Sequence, residues 1–152
     1  MDCRCHRTHI RKCKMVNSRN KGAAFERKIV NLINKRLEEL GHEDVVKRNL
    51  DQYQTKGEAD IYLRNLAIEC KCYAGDPINF AKGSWWSQVC EAAGNSHTPV
   101  LVYKYNTGRI KYVIPAHAVC PDDKMPKNNN TVMFGDFDDF LESLNVILQA
   151  CT

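Results

Sequence analysis

Asp60, Glu69 and Lys71 are the residues of this 152-residue chain whose types and spacing could do chemistry. If Glu58 to Cys72 forms two short strands joined by a two-residue turn at Arg64-Asn65, Leu63 faces Leu66, Ile61 faces Ile68, and Asp60 faces Glu69. In that register the β-carbons of the two acids lie about 4.5–5.5 Å apart, and their charges repel. Either one carboxylate holds a proton or a cation lies between them, and hard oxygen donors suit Mg²⁺ or Mn²⁺. Lys71, two residues beyond Glu69, shares the same face. A cation held there would polarise a phosphate and acidify a bound water, while the lysine orients that water or stabilises developing charge. This is a layout for phosphodiester hydrolysis. The simpler alternative is a solvent-facing strand pair with a Glu58–Lys71 ion pair, which leaves the opposed like charges without a reason.

The elements that position these residues follow from periodicity. Phe25, Ile29, Leu32, Ile33, Leu37 and Leu40 fall three or four apart and predict an amphipathic helix over Ala24 to Leu40, ended by Gly41. Asp44 to Leu50 reads as a short strand and Asp51 to Gly57 as a loop. In the hairpin, alternation puts Ala59, Ile61, Leu63, Leu66, Ile68 and Cys70 on one face. The other face carries Glu58, Asp60, Tyr62, Ala67, Glu69 and Lys71. After Gly75-Asp76-Pro77, a helix is expected from about Lys82 to Ala93, closed by Gly94-Asn95. Its neighbours Trp85 and Trp86 read as core and rim aromatics. Strands are predicted over Pro99 to Tyr105 and Arg109 to Ile114, a polar loop over 121–130, and a terminal amphipathic helix over Asp136 to Ala150. The resulting fold class is α/β, a central mixed sheet flanked by helices in one domain spanning 21–152.

Charge is unevenly spread. The net charge is +4, but residues 1–36 carry eleven Lys or Arg against Asp2 and Glu26, a net of +9, and the remainder sums to −5. Such a basic segment suits a polyanion, and nucleic acid is the expected partner, with Arg19, Lys21, Arg27 and Lys28 on the phosphates; a solubilising tail is the bland alternative. No apolar run approaches the ~18 residues of a membrane span and no secretory signal is evident, so a soluble, cytoplasmic protein with reduced cysteines is expected. Residues 1–20 lack apolar periodicity and are expected to form a flexible arm. Its Cys3, Cys5, His6, His9 and Cys13 could bind zinc, but C-x-C-H-x₂-H-x₃-C does not match the usual paired spacings. Met15 opens a second plausible start, making residues 1–14 an upstream extension. Cys70, Cys72, Cys90 and Cys120 read as small core residues.

Asp60, eight intervening residues and Glu69-Cys70-Lys71 resemble the D…(D/E)-x-K signature of the PD-(D/E)XK nuclease superfamily. Within it, the chain is similar to Holliday junction resolvases of archaeal and phage type. The matching stretches are Asn20-Lys21-Gly22-Ala23-Ala24-Phe25-Glu26-Arg27, Gly57-Glu58-Ala59-Asp60-Ile61, Ile68-Glu69-Cys70-Lys71, Trp85-Trp86-Ser87-Gln88 and Pro99-Val100-Leu101-Val102, spanning roughly residues 17–105. The resemblance implies a restriction-endonuclease-like core, Mg²⁺ (or Mn²⁺) held by Asp60, Glu69 and the Cys70 backbone carbonyl with help from Glu26, and Lys71 beside the nucleophilic water. It also places Gln88 near the metal or scissile phosphate. Ala59 stands where the name motif has Pro. The implied activity is endonucleolytic cleavage of DNA at four-way junctions, in recombination or repair, by a homodimer whose two-fold axis matches that of the junction. Two alternatives keep the partner: a restriction-like or repair nuclease acting on duplex or flap DNA, and a catalytically silent DNA-binding module.

Overall fold

The computed structural model describes residues 5–51, 57–75, 83–120 and 122–151, with side chains from Ser18 onward. Helix α1 (Cys5–Glu39) buries Phe25, Ile29, Ile33 and Leu37 along one stripe. It ends in a Schellman motif, with His42 N–H donating to the Leu37 carbonyl at 2.9 Å and Gly41 N–H to that of Glu38 at 3.0 Å. Gly41 takes φ 75°, open to glycine at little cost. The helix runs back to Cys5 instead of beginning at Ala24, so residues 5–20 are helical where a flexible arm was expected. No proline interrupts that stretch, and a helix nucleated by its buried half extends at small cost per residue. The cysteine–histidine cluster lies outside the described side chains.

Strands β1 (Ile61–Leu63) and β2 (Leu66–Tyr73) form the expected hairpin, pairing Ile61 with Ile68 and Leu63 with Leu66. Arg64 takes the left-handed φ of 49° that the turn demands. Asp44 offsets that conformation by accepting Arg64 Nη2 at 2.6 Å and Nε at 3.2 Å. Helix α2 (Gly83–Ala93) then crosses to β3 (Thr98–Tyr105), which lies parallel to β2. Strands β4 (Lys111–Pro115) and β5 (Val132–Asp136) follow antiparallel, giving a mixed five-stranded sheet in the order β1-β2-β3-β4-β5. Helices α3 (Phe137–Glu142) and α4 (Leu144–Ala150) complete the chain.

Alternation along β3 divides the core. Val100 and Val102 pack with Ile61, Ile68, the α1 stripe and Phe137, Phe140, Leu144 and Ile147. Leu101, Tyr103 and Tyr105 pack against Trp85 and Val89 of α2. Two helical layers therefore enclose the sheet, with α1, α3 and α4 on one face and α2 on the other.

Several sequence expectations change. Asp44 to Leu50 is not a strand and bridges to β1 only between Arg48 and Ile61; the Asn34 side chain occupies both backbone groups of Val46. Ala59 packs with Ala67 and Ala93, on the face opposite Ile61, because the chain bends at Asp60 and breaks the alternation. The terminal helix is two helices, interrupted at Ser143 (φ −85°, ψ 0°). Strand β5 was not anticipated, since Val132, Met133 and Phe134 are exposed on an edge strand and show no alternating burial. Residues 52–56 of the expected loop, Asp76 and Pro77 of the next turn and Lys82 lie outside the described residues.

Replacing Gly41 with Ala forces a β-carbon into the left-handed region and should lower unfolding free energy by about 1 kcal/mol, read as a shift in urea midpoint at unchanged slope.

Candidate active site

The hairpin register decides where the acids meet. In an antiparallel ladder the N–H and C=O of one residue point to the same side, and alternate residues of β2 face β1. Leu66, Ile68 and Cys70 form that series, yet β1 ends at Ile61, the partner of Ile68. Asp60 supplies the missing acceptor: its Oδ2 receives the Cys70 N–H at 2.7 Å. The Asp60 carboxylate therefore replaces the next rung of the ladder, rather than standing as a paired residue opposite Glu69. The Cys70 carbonyl, on the same side as its N–H, lies along this open edge of β2.

Asp60 is buried, at 5% exposure. Burial, then the charge of Glu69, push its carboxyl up to about 7, with a further push from Glu26; the Cys70 N–H and the charge of Lys71 pull the other way. Burial and the charges of Asp60, Glu26 and Glu69 also hold the Cys70 thiol well above its usual range, so it stays protonated. All three carboxylates thus act on one small region. Lys71 Nζ pairs with Glu69 Oε1 at 2.8 Å. Desolvation pulls the lysine down, but the Glu69 hydrogen bond and the Glu69 and Asp60 charges outweigh it, and its pKa is raised. Lys71 is a firmly held cation that does not pair with Glu58.

Glu26 reaches the region from α1 and is buried at 8% exposure. Both Nε and Nη2 of Arg48 lie 2.6 Å from its Oε2. Asn49, the next residue, donates to Glu58 Oε2 at 2.7 Å and to the Ala59 carbonyl at 3.1 Å, and its N–H donates to the Asp60 carbonyl at 2.7 Å. One extended segment, Arg48-Asn49, therefore fixes both the helix acid and the approach to Asp60.

On the α2 face, a cleft of about 390 Å³ is lined by Gly57, Glu58, Glu69, Gln88, Glu91 and Ala92. It brings Gln88 together with Glu69. Glu91, Arg48 and Asn49 were missed from sequence. Glu91 stands three residues after Gln88 and so on the same helical face, which could have revealed it; nothing near Arg48 or Asn49 in the chain marks them. Arg19, Lys21, Arg27 and Lys28 are exposed on α1, with Lys21 against the Asn106 side chain.

Among the described residues no three His, Cys, Asp or Glu side chains group as a metal cage. The oxygen set of Asp60, Glu69 and the Cys70 carbonyl nonetheless fits a small hard cation, since Mg²⁺ keeps several waters and takes one or two carboxylates. The raised Asp60 carboxyl is the physical sign that positive charge is wanted there.

A mixed sheet between helical layers, with an acid at the end of one strand and Glu-x-Lys on its hairpin partner, defines an α/β nuclease core of the PD-(D/E)XK kind. Residues 17–148 match the family described as "Phage putative PDDEXK endonuclease", and the chain belongs to that family. No curated protein and no solved structure matches it. No helix among the described residues is long and apolar enough to cross a membrane.

Two outcomes test this geometry. Asp60 has a folded pKa of about 7 against an ordinary 3.8, so the folded, metal-free protein binds the extra proton between those values. Its contribution is intact below about pH 4 and is lost as pH rises toward 7. In chelator, Asp60→Asn should therefore raise the melting temperature at pH 8, by a stabilisation on the order of 2 kcal/mol, and change it little at pH 4. Arg48→Met leaves the Glu26 charge buried without its partner and should cost about 3 kcal/mol in urea unfolding, more than Glu26→Gln.

Proposed function

We propose that this endonuclease is a divalent-metal-dependent enzyme that hydrolyses DNA phosphodiesters at four-way junctions. The observation that carries the chemistry is the meeting of buried Asp60 with Glu69 and its ion-paired Lys71 on one hairpin. Asp60, Glu69 and the Cys70 carbonyl would hold Mg²⁺ or Mn²⁺, which when bound neutralises phosphate charge and acidifies water. Lys71, fixed by Glu69, would orient the attacking water or stabilise the charge that builds on the phosphate. Glu26, held by Arg48, would help to hold the cation. Gln88 lines the same cleft as Glu69 and would orient the phosphate or the water.

Arg19, Lys21, Arg27 and Lys28 supply exposed positive charge on α1 for the backbone of branched or duplex DNA. The likeness of the α1, hairpin and α2 stretches to junction resolvases supports the four-way junction as substrate and a two-fold homodimer as the working form, in the cytoplasm of an infected host.

Cleavage of a four-way junction, a flap and a linear duplex of matched sequence tests the reading. Expected are Mg²⁺-dependent cuts, at least about ten times faster on the junction, and at least about 10²-fold loss in Asp60→Asn and Glu69→Gln. Equal rates on the three substrates would reassign the enzyme to duplex or flap cleavage. Absence of any metal-dependent cut sensitive to these changes would leave a silent DNA-binding module.

A further inference from the structure

A second cleft, of about 370 Å³, opens where α2 ends and β3 begins, and its lining contrasts with the first. Among the described residues, no carboxylate borders it. Lys127, His97, His117, Ser96, Asn65 and Asn95 do, giving one fixed positive charge and a ring of hydrogen-bond donors. A cation finds no anionic ligand in this lining and a hydrophobic ligand finds little to cover it. An anion with several acceptor oxygens matches it.

The cleft is held in shape from three sides. Trp86 Nε1 of α2 donates to the Asn129 carbonyl at 2.9 Å, pinning the 127–129 rim to the helix. Asn128 Oδ1 accepts from the N–H groups of Asn130 at 2.9 Å and Thr131 at 3.1 Å, closing the loop on itself. The His97 ring lies against Tyr62 with centroids 5.1 Å apart. Ser96 Oγ is 2.8 Å from His97 Nδ1, which leaves Nε2 to a ligand.

Position links the two clefts. Thr98 pairs with Leu66 in the sheet, three residues before Glu69, so the second cleft lies about 10 Å from Glu69 along β2. On α2, Gly94 of the second cleft follows Glu91 of the first by three residues, about 4.5 Å along the axis.

We infer that this second cleft grips a backbone phosphate of the DNA strand running to the active site, close to the cut. The inference rests on the nuclease reading and adds an anchor on the sheet face opposite α1. It complements the first cleft, whose carboxylates repel phosphate until a cation is present.

The test uses the full chain carrying Asp60→Asn in chelator, so that binding is read without cutting, with fluorescence anisotropy on a labelled junction across a salt series. Adding Lys127→Ala should weaken binding about 5-fold and reduce the salt slope by about one. Asn95→Asp, which puts a carboxylate on the rim, should weaken binding at least as much. Lys124→Ala, an exposed charge of the same loop outside the cleft, should have the smaller effect. If the parent chain binds DNA but Lys127→Ala and Asn95→Asp leave affinity and slope unchanged, or Lys124→Ala matches Lys127→Ala, the second cleft is not an anchor. If the parent binds no DNA at any salt, in chelator or in Mg²⁺, the nuclease reading itself falls and this inference with it.

Discussion

The hydrogen bond from the Cys70 amide to Asp60 Oδ2 sets both the end of the β1–β2 ladder and the place where negative charge gathers. A backbone donor on an open strand edge needs a partner, and here a carboxylate serves instead of the next strand residue. The substitution draws Asp60 into the protein beside Glu69, where an unpaired charge is costly. The surroundings answer that cost locally: Arg48 takes up Glu26, Lys71 takes up Glu69, and Asp60 is left as the group with no basic side chain of its own. The site is built with a deficit of positive charge at one defined point.

Legibility in the sequence followed the range of the interactions. The hairpin register was readable because alternation over Ile61 to Ile68 is local and a one-residue slip would expose every apolar side chain. The α1 stripe was readable for the same reason, and Gly41 marked its end. Gln88 came only through family likeness, and it does line the cleft with Glu69. What could not be read depends on contacts distant in the chain. Arg48 meets Glu26 across 22 residues, and Trp86 meets Asn129 across 43, with no pattern to announce either. Ala59 was assigned the wrong face because period-two alternation assumes an unbroken strand, and the strand bends at Asp60. Strand β5 hid because its apolar residues are not buried, so the signal that marks strands was missing.

The division of charge acquires a spatial meaning in the fold. The basic residues of α1 and the acidic cleft under α2 lie on opposite faces of one sheet, with the hairpin between them. Glu26 and Asp60 connect the faces, one rising from the helix side and the other filling the end of the ladder. The net charge of +4 describes neither surface. Each carries its own sign, which permits a polyanion to be attracted by one part of the molecule and admitted to the other only with a cation.

The two tryptophans of the chain are neighbours, Trp85 and Trp86, and both belong to α2. Trp85 is buried among Tyr73, Tyr103 and Tyr105, with its ring centroid 5.0 Å from that of Tyr73 at the end of the strand that carries Glu69 and Lys71. Trp86 is half-buried and hydrogen-bonded to the loop that rims the second cleft. Intrinsic tryptophan emission from this protein is therefore a signal from a single helix, with one reporter in the core and the other half-buried at the rim of the second cleft. The molecule carries its own optical probe of whatever happens on either side of α2, without a label.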